Sequence, residues 1–166
     1  MDIRNVLTIG KVHDAIDIAA ESCKQLGIKN PRIAVTGLNP HAGENGLLGD
    51  EETRLIIPAI KVAQNNGLNV SGPFPADTMF RDTSTFDVIV AMYHDQGLLP
   101  MKLLSPQSAV NWTVGIPIIR TSPDHGTAFD IASTDKADAT SLNHAITLAY
   151  QLVTTPSHRP MLKSHL

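Results

Sequence analysis

Aromatic residues are scarce in this chain, at 4% of 166 residues. Any core must therefore be aliphatic, and the 42% hydrophobic content supplies it. A single cysteine, Cys23, excludes an internal disulfide. Its place in a helical pattern reads as a small buried or half-buried residue. There is no excess of positive charge: 13 Lys and Arg stand against 16 Asp and Glu, for a net charge of -3. That removes the electrostatic case for nucleic acid or for a basic membrane anchor. No apolar run is long enough to span a bilayer. The first ten residues, with Asp2 and Arg4, lack the apolar stretch of a secretory signal. These absences point to a cytoplasmic enzyme or binding protein.

What is present is an alternation of helical and extended patterns. Val12, Ala15, Ile16, Ala19, Ala20 and Cys23 recur at helical spacing, and Gly27 is a natural stop. A strand is expected over 32–36. A Gly-rich loop over 37–49 follows, then a helix from Asp50 to about Asn66 that Pro58 should kink. Asn69 to Ser71 reads as a short strand, and 72–78 as a turn-rich connection. Further strands are expected over 87–92, 109–114 and 117–120. A short helix is expected over 98–104 and a final helix over 141–154, with residues 156–166 a frayed tail. The pattern predicts an α/β fold with a mainly parallel sheet flanked by helices, as one unit over residues 1–166 with no internal linker.

Three strand ends carry the polar chemistry. The first is Gly37-Leu38-Asn39-Pro40-His41-Ala42-Gly43-Glu44 and the second Met92-Tyr93-His94-Asp95-Gln96-Gly97. The third is Arg120-Thr121-Ser122-Pro123-Asp124-His125-Gly126-Thr127-Ala128. Ligands of open α/β sheets sit at such ends, so the three together suggest one site. His41 and His94 are imidazoles of the kind that bind Zn, Co, Ni or Fe, although no tight ligand spacing supports this and a lone His is more often structural. Lys102, Asn111 and Arg120 suit phosphate or carboxylate, with plain surface charge the bland alternative. Asn111 interrupts an apolar strand, which a core residue seldom does without a partner. Around Gly126 the backbone could approach a ligand closely, and a helix starting near Thr127 would offer N–H groups to an anion. No G-x-G-x-x-G loop is present. Asp130, at an adenosine ribose, would favour NAD over NADP by repelling a 2′-phosphate.

These three stretches, with Pro75-Ala76-Asp77-Thr78, together resemble the 4-hydroxythreonine-4-phosphate dehydrogenase family of vitamin B6 biosynthesis. The resemblance runs to about residue 153. Gly43 to Glu52 and Lys102-Leu103-Leu104 look more like the paralogous branch thought to act on 4-phospho-threonate or 4-phospho-erythronate. The resemblance implies an isocitrate/isopropylmalate dehydrogenase-like fold, incomplete here. The chain would correspond to the C-terminal half of a two-lobe enzyme about twice as long. It implies a divalent metal (Zn, Co or Mg) on His41 and His94, with a further metal ligand upstream of Met1. It implies NAD held by Asp124, His125, Gly126, Thr127, Ala128 and Asp130. Lys102, Asn111 and Arg120 would hold a small phosphorylated hydroxy acid, Lys102 also being the catalytic candidate for proton transfer. It implies a homodimer with a shared active site. Ser105-Pro106 departs from the family's Gly-Phe after the lysine. The expected activity is NAD- and metal-dependent oxidative decarboxylation, impaired by truncation. The other reading is a non-catalytic dimerising remnant that binds metal or nucleotide weakly.

Overall fold

The computed structural model describes Ile3 and residues 6–155; the expected frayed tail over 156–166 lies outside the described residues. The chain forms two compact units, one up to Pro100 and the other from Met101 on.

The first unit opens with helix α1 (Ile9–Gln25), whose start is capped by Thr8, its side chain accepting from the Lys11 amide at 3.2 Å. Val12, Ile16, Ala20 and Cys23 form its buried stripe. At the C-terminus the Ile28 and Gly27 amides reach back to the Cys23 and Lys24 carbonyls, a Schellman closure that Gly27 permits with φ of 88°. Burial, and secondarily the charge of Asp87, pushes the Cys23 thiol up, as suits an inert core residue.

A three-stranded parallel sheet follows, in the order β2 (Val70–Phe74), β1 (Ile33–Thr36), β3 (Val88–Val90). All four residues of β1 are buried, which explains its unbroken apolar run. Helix α2 (Ile57–Asn65) packs on α1 and β2. Ile16, Ile33 and Ile56 are essentially inaccessible, each contributing roughly 1.5–3 kcal/mol of burial. The helix predicted from Asp50 to about Asn66 is present from Glu51 on, but it opens with a π-helical turn over Glu52–Ile56 that hands over to α2 just before Pro58. The turn expected over 72–74 is strand. Gly72 passes so close to β1 that a Cβ there would lie 2.5 Å from the Val35 carbonyl oxygen, and the register shifts between Ala34 and Thr36 to accommodate it. Helix α3 (Ala76–Met79) is a single turn.

One ion pair ties the start of β1 to the start of β3. Asp87 Oδ2 accepts from the Arg32 amide at 2.8 Å and from Nε at 3.0 Å, and Oδ1 accepts from Nη2 at 2.9 Å. The Arg32 side chain, and next its amide, lower the Asp87 carboxyl to about 2. The folded value lies below the unfolded one of about 3.9, so this stabilisation is complete above roughly pH 4 and is lost as pH falls through about 2. Thermal unfolding scans should show a shallower acid fall in Tm for Asp87→Asn than for the wild type; parallel curves would contradict the assignment.

The second unit pairs β4 (Val110–Thr113) with β5 (Arg120–Pro123) as an antiparallel hairpin, and α5 (Thr140–Thr154) packs against both strands. The strand expected over 117–120 begins only at Arg120, where ladder pairing with Thr113 starts. Thr121 Oγ1 donates to the Ala145 carbonyl at 2.9 Å, and Ser141 Oγ donates to the Ala109 carbonyl at 2.6 Å, fastening α5 to the hairpin. None of the helices is long and apolar enough to cross a membrane among the described residues.

Candidate functional site

The loop after β1 is held in an unusual conformation. Ala42, Gly43, Glu44 and Asn45 all have positive φ, of 49°, 80°, 40° and 58°. Non-glycine residues adopt this region at a cost, and such strain persists only where the surroundings impose it. Here they do. Asn39 Oδ1 accepts from the His41 and Gly43 amides at 2.9 and 3.0 Å, and Asn39 Nδ2 donates to the Leu48 carbonyl at 2.7 Å. Glu52 Oε1 accepts from the Leu38 and Asn39 amides at 2.7 and 3.0 Å. Gly43 lies against the same carboxyl, where a Cβ would come within 2.9 Å of Oε2. His41 Nδ1 is 2.7 Å from Glu44 Oε1, a pairing exposed to solvent. It leaves Nε2 outside the pair, and a carboxylate on one nitrogen is the usual way a ligating imidazole is oriented.

Glu52 is the residue that sequence reasoning missed. An acidic residue near the start of the expected helix reads as solvent-exposed, yet Glu52 is 2% exposed. The signal was available: positions 52, 56, 59 or 60 and 63 form one stripe, and all are buried. Glu52→Ala strips two amides of their acceptor and should cost about 3 kcal/mol in denaturant unfolding. Glu52→Gln keeps an oxygen for both and should cost less than half as much. Equal losses in the two variants would contradict the role given to Oε1.

His94 does not sit in an open loop. It is the first residue of helix α4 (His94–Leu104), exposed, with Asp95 in the first turn. Pro100 inside α4 marks the boundary of the first unit. The helix starts four residues earlier than expected because Gln96 caps it, Oε1 accepting from the Met92 and Tyr93 amides at 2.9 and 3.1 Å. Among the described residues no group of three or more His, Cys, Asp or Glu side chains is arranged to hold a metal. His41 and His94 are imidazoles, a donor type that divalent transition ions take.

In the second unit, Asn111 and Arg120 occupy one face of the hairpin, because register pairs Asn111 with Ser122 and Thr113 with Arg120. That face is exposed at both residues. Asn111 is therefore not a polar intruder in a core: it is the exposed residue of a strand whose other three residues are half-buried. Arg120 Nη1 donates to Thr113 Oγ1 at 2.9 Å. Lys102 lies by Asp124 instead, Nζ being 3.7 Å from Oδ2. Ser141 Oγ receives the Asp124 amide at 3.1 Å and so fixes the start of the following loop.

That loop borders a cavity of about 490 Å³ whose lining includes Asp124, His125, Thr127, Ala128, Asp138 and Ser141. Gly126 and Asp130 fall outside the lining. Asp135 belongs to it. The helix expected near Thr127 is absent: Ala128 takes a left-handed conformation, φ 48° and ψ 47°, and only a single 3₁₀ turn, Phe129–Ile131, follows. An anion site at a helix start is thereby removed from this loop. Asp138 accepts from the Thr140 amide at 2.8 Å at the start of α5. The Thr140 side chain and then its amide, with a smaller contribution from His125, lower the Asp138 carboxyl below its ordinary range.

Comparison with known proteins places this arrangement. The sequence pattern of the family described as pyridoxal phosphate biosynthetic protein PdxA matches residues 1–149. The chain belongs to the PdxA family. It is 55% identical over 145 residues to a 4-hydroxythreonine-4-phosphate dehydrogenase of Beijerinckia indica, covering 86% of this chain and 43% of that protein. It is 53% identical over 150 residues to a D-threonate 4-phosphate dehydrogenase of Salmonella typhimurium, covering 89% and 46%. The crystal structure of a 4-hydroxythreonine-4-phosphate dehydrogenase from Klebsiella pneumoniae superposes with a TM-score of 0.79 at 46% identity, over 93% of this chain and 48% of that one. The chain thus has the α/β fold of the PdxA dehydrogenases, and it spans less than half the length of the relatives it matches.

Proposed function

We propose that this PdxA-family chain carries the dinucleotide- and metal-handling part of an enzyme that oxidatively decarboxylates a phosphorylated 3-hydroxy acid, 4-phosphohydroxy-L-threonine or a 4-phospho sugar acid. The observation that carries this reading is identity above 50% over about 145–150 residues to two dehydrogenases named for such substrates. Near-equal likeness to both leaves the substrate class as a phosphorylated four-carbon hydroxy acid.

Arg120 and Asn111 hold the phosphate and adjoining oxygens of the substrate, the guanidinium through its planar fork. Lys102, which lies by Asp124 at 3.7 Å, is the candidate to move a proton to or from a substrate oxygen. His41, oriented by Glu44, and His94 would be ligands of a divalent ion, which when bound would supply positive charge to help a substrate hydroxyl lose its proton. Asp124, His125, Thr127 and Ala128 would contribute the wall of a pocket for NAD, the hydride acceptor, and Gly126 and Asp130, outside the cavity lining, would meet its adenosine end where it extends beyond the cavity. NAD, when bound, would supply the hydride acceptor for the hydroxyl carbon, while Lys102 would take the hydroxyl proton; the β-keto acid so formed would lose CO₂, and the carbon left behind would take up a proton. The enzyme works as a homodimer in the cytoplasm.

Titration calorimetry with NAD⁺ and NADP⁺ tests the dinucleotide assignment. The expected result is tighter binding of NAD⁺, by roughly tenfold or more, and a levelled preference in Asp130→Lys. A ratio unchanged in Asp130→Lys but levelled in Asp135→Lys would move the role to the acid that lines the cavity.

A further inference from the structure

We infer that Ser141 is a positioning residue for the dinucleotide pocket: its single hydroxyl joins the three chain segments that wall the cavity, and so fixes the shape of the pocket before a ligand arrives. This rests on the reading of that cavity as the NAD site.

The need for a joint follows from the register of the hairpin. Val110 and Pro123 are the last pair of the β4–β5 ladder. Ala109 and Asp124 come next, one on each chain, and both border the cavity. Beyond the last pair the ladder no longer fixes one chain against the other. There the Ser141 hydroxyl takes over, accepting from the Asp124 amide at 3.1 Å and donating to the Ala109 carbonyl at 2.6 Å. Ser141 also lines the cavity, from the first turn of α5. A hydroxyl offers a donor and an acceptor on one atom, which this junction uses.

What hangs on the joint is the loop that begins at Asp124. Its next residues, His125, Thr127 and Ala128, form one side of the cavity. Among the described residues, 125–127 make no hydrogen bond to another segment of the chain; the His125 ring is bonded only to the neighbouring Gly126 carbonyl, at 2.9 Å. The course of this wall is therefore set from its anchored start. A pocket whose walls are fixed beforehand spares its ligand the entropy of ordering them.

The bland reading is that Ser141 merely fastens α5. Thr147 and Thr154 show what other hydroxyls on this helix do: they donate within it, to the Asn143 and Tyr150 carbonyls, each at 2.8 Å. The partners of Ser141 lie outside the helix, 17 and 32 residues away in sequence. At 8% exposure the hydroxyl is also poorly replaced by water. Thr121 supplies the control. Its hydroxyl ties α5 to the same hairpin at the Ala145 carbonyl, yet Thr121 and Ala145 are outside the cavity lining.

The test is calorimetric titration of the chain with NAD⁺. Ser141→Ala should weaken binding by roughly fivefold or more, the equivalent of one net hydrogen bond. Thr121→Val, which loosens α5 away from the cavity, should stay within about twofold of wild type. Should Ser141→Ala fail to fold, Ser141→Cys keeps the volume but offers only a weak donor and acceptor, and it carries the same expectation. With this chain joined to the N-terminal half of the Salmonella typhimurium relative, the loss should appear in KM for NAD⁺, with kcat within about twofold of wild type. Wild-type affinity in the folded Ser141 variant would overturn the inference and leave the dinucleotide reading standing. Equal weakening in the Ser141 and Thr121 variants would reduce Ser141 to a fastener of α5 and overturn the inference alone. Absence of saturable NAD⁺ binding by the unsubstituted chain and by the joined protein would overturn the dinucleotide reading and the inference with it.

Discussion

Replacing His41 or His94 by alanine should lower NADH formation from a phosphorylated hydroxy acid by about 10²–10³-fold, with NAD⁺ affinity changed by no more than about twofold. The measurement uses this chain joined to the N-terminal half of a relative such as the Salmonella typhimurium dehydrogenase. The expectation rests on two features of the first unit. His41 sits in a loop whose left-handed residues are imposed by Asn39 and Glu52, and its Nδ1 is already occupied by Glu44. Such construction is hard to explain for an exposed histidine with no task. The 166-residue chain tested alone is expected to turn over at under a hundredth of the joined protein's rate. Two histidines do not complete the ligand set of a catalytic ion, and no third ligand converges among the described residues. Equal loss of NAD⁺ affinity in the two variants would move the histidines to the dinucleotide pocket.

Arg120→Ala in the same joined protein should lower kcat/KM for the phosphorylated substrate by roughly 100-fold, chiefly through KM. The guanidinium is held to Thr113 on the hairpin face that also presents Asn111, so its fork meets a ligand without reorganisation. Arg120→Lys should recover only part of the loss, since an ammonium cannot make two parallel bonds to one phosphate. Steady-state kinetics with the phosphorylated and dephosphorylated forms of one hydroxy acid separate phosphate binding from general electrostatics. If both substrates suffer equally, Arg120 is not a phosphate ligand.

The elements that were legible in the sequence are those whose side chains carry a clean period. The stripe of α1, the fully buried β1 and the start of α5 fall within two residues of their expected places. What was not legible is decided by contacts distant in sequence. Strand β2 continues through Gly72-Pro73 because Gly72 fits against Val35, and β5 starts at Arg120 because Thr113 pairs with it. The helix of His94 begins early because a side chain two residues on reaches back to cap it. In the site, motif residues declared themselves by type: histidines, an arginine and small residues at strand ends. Their supports did not. Glu52 looks like an ordinary helix residue, and Gln96 reads as one more polar residue of the second motif; only the fold turns them toward the loops they hold. Asn111 misled in the opposite sense, because a polar residue on the exposed face of a half-buried strand resembles an interruption when only one strand is read.

The most direct measurement is NADH formation by the joined protein, supplied with NAD⁺, a divalent ion and either 4-phosphohydroxy-L-threonine or 4-phospho-threonate. Turnover with at least one of these, falling by at least tenfold when its phosphate is removed, is the predicted result. A folded joined protein that binds NAD⁺ yet forms no NADH from either would contradict the account and favour a binding module without catalysis.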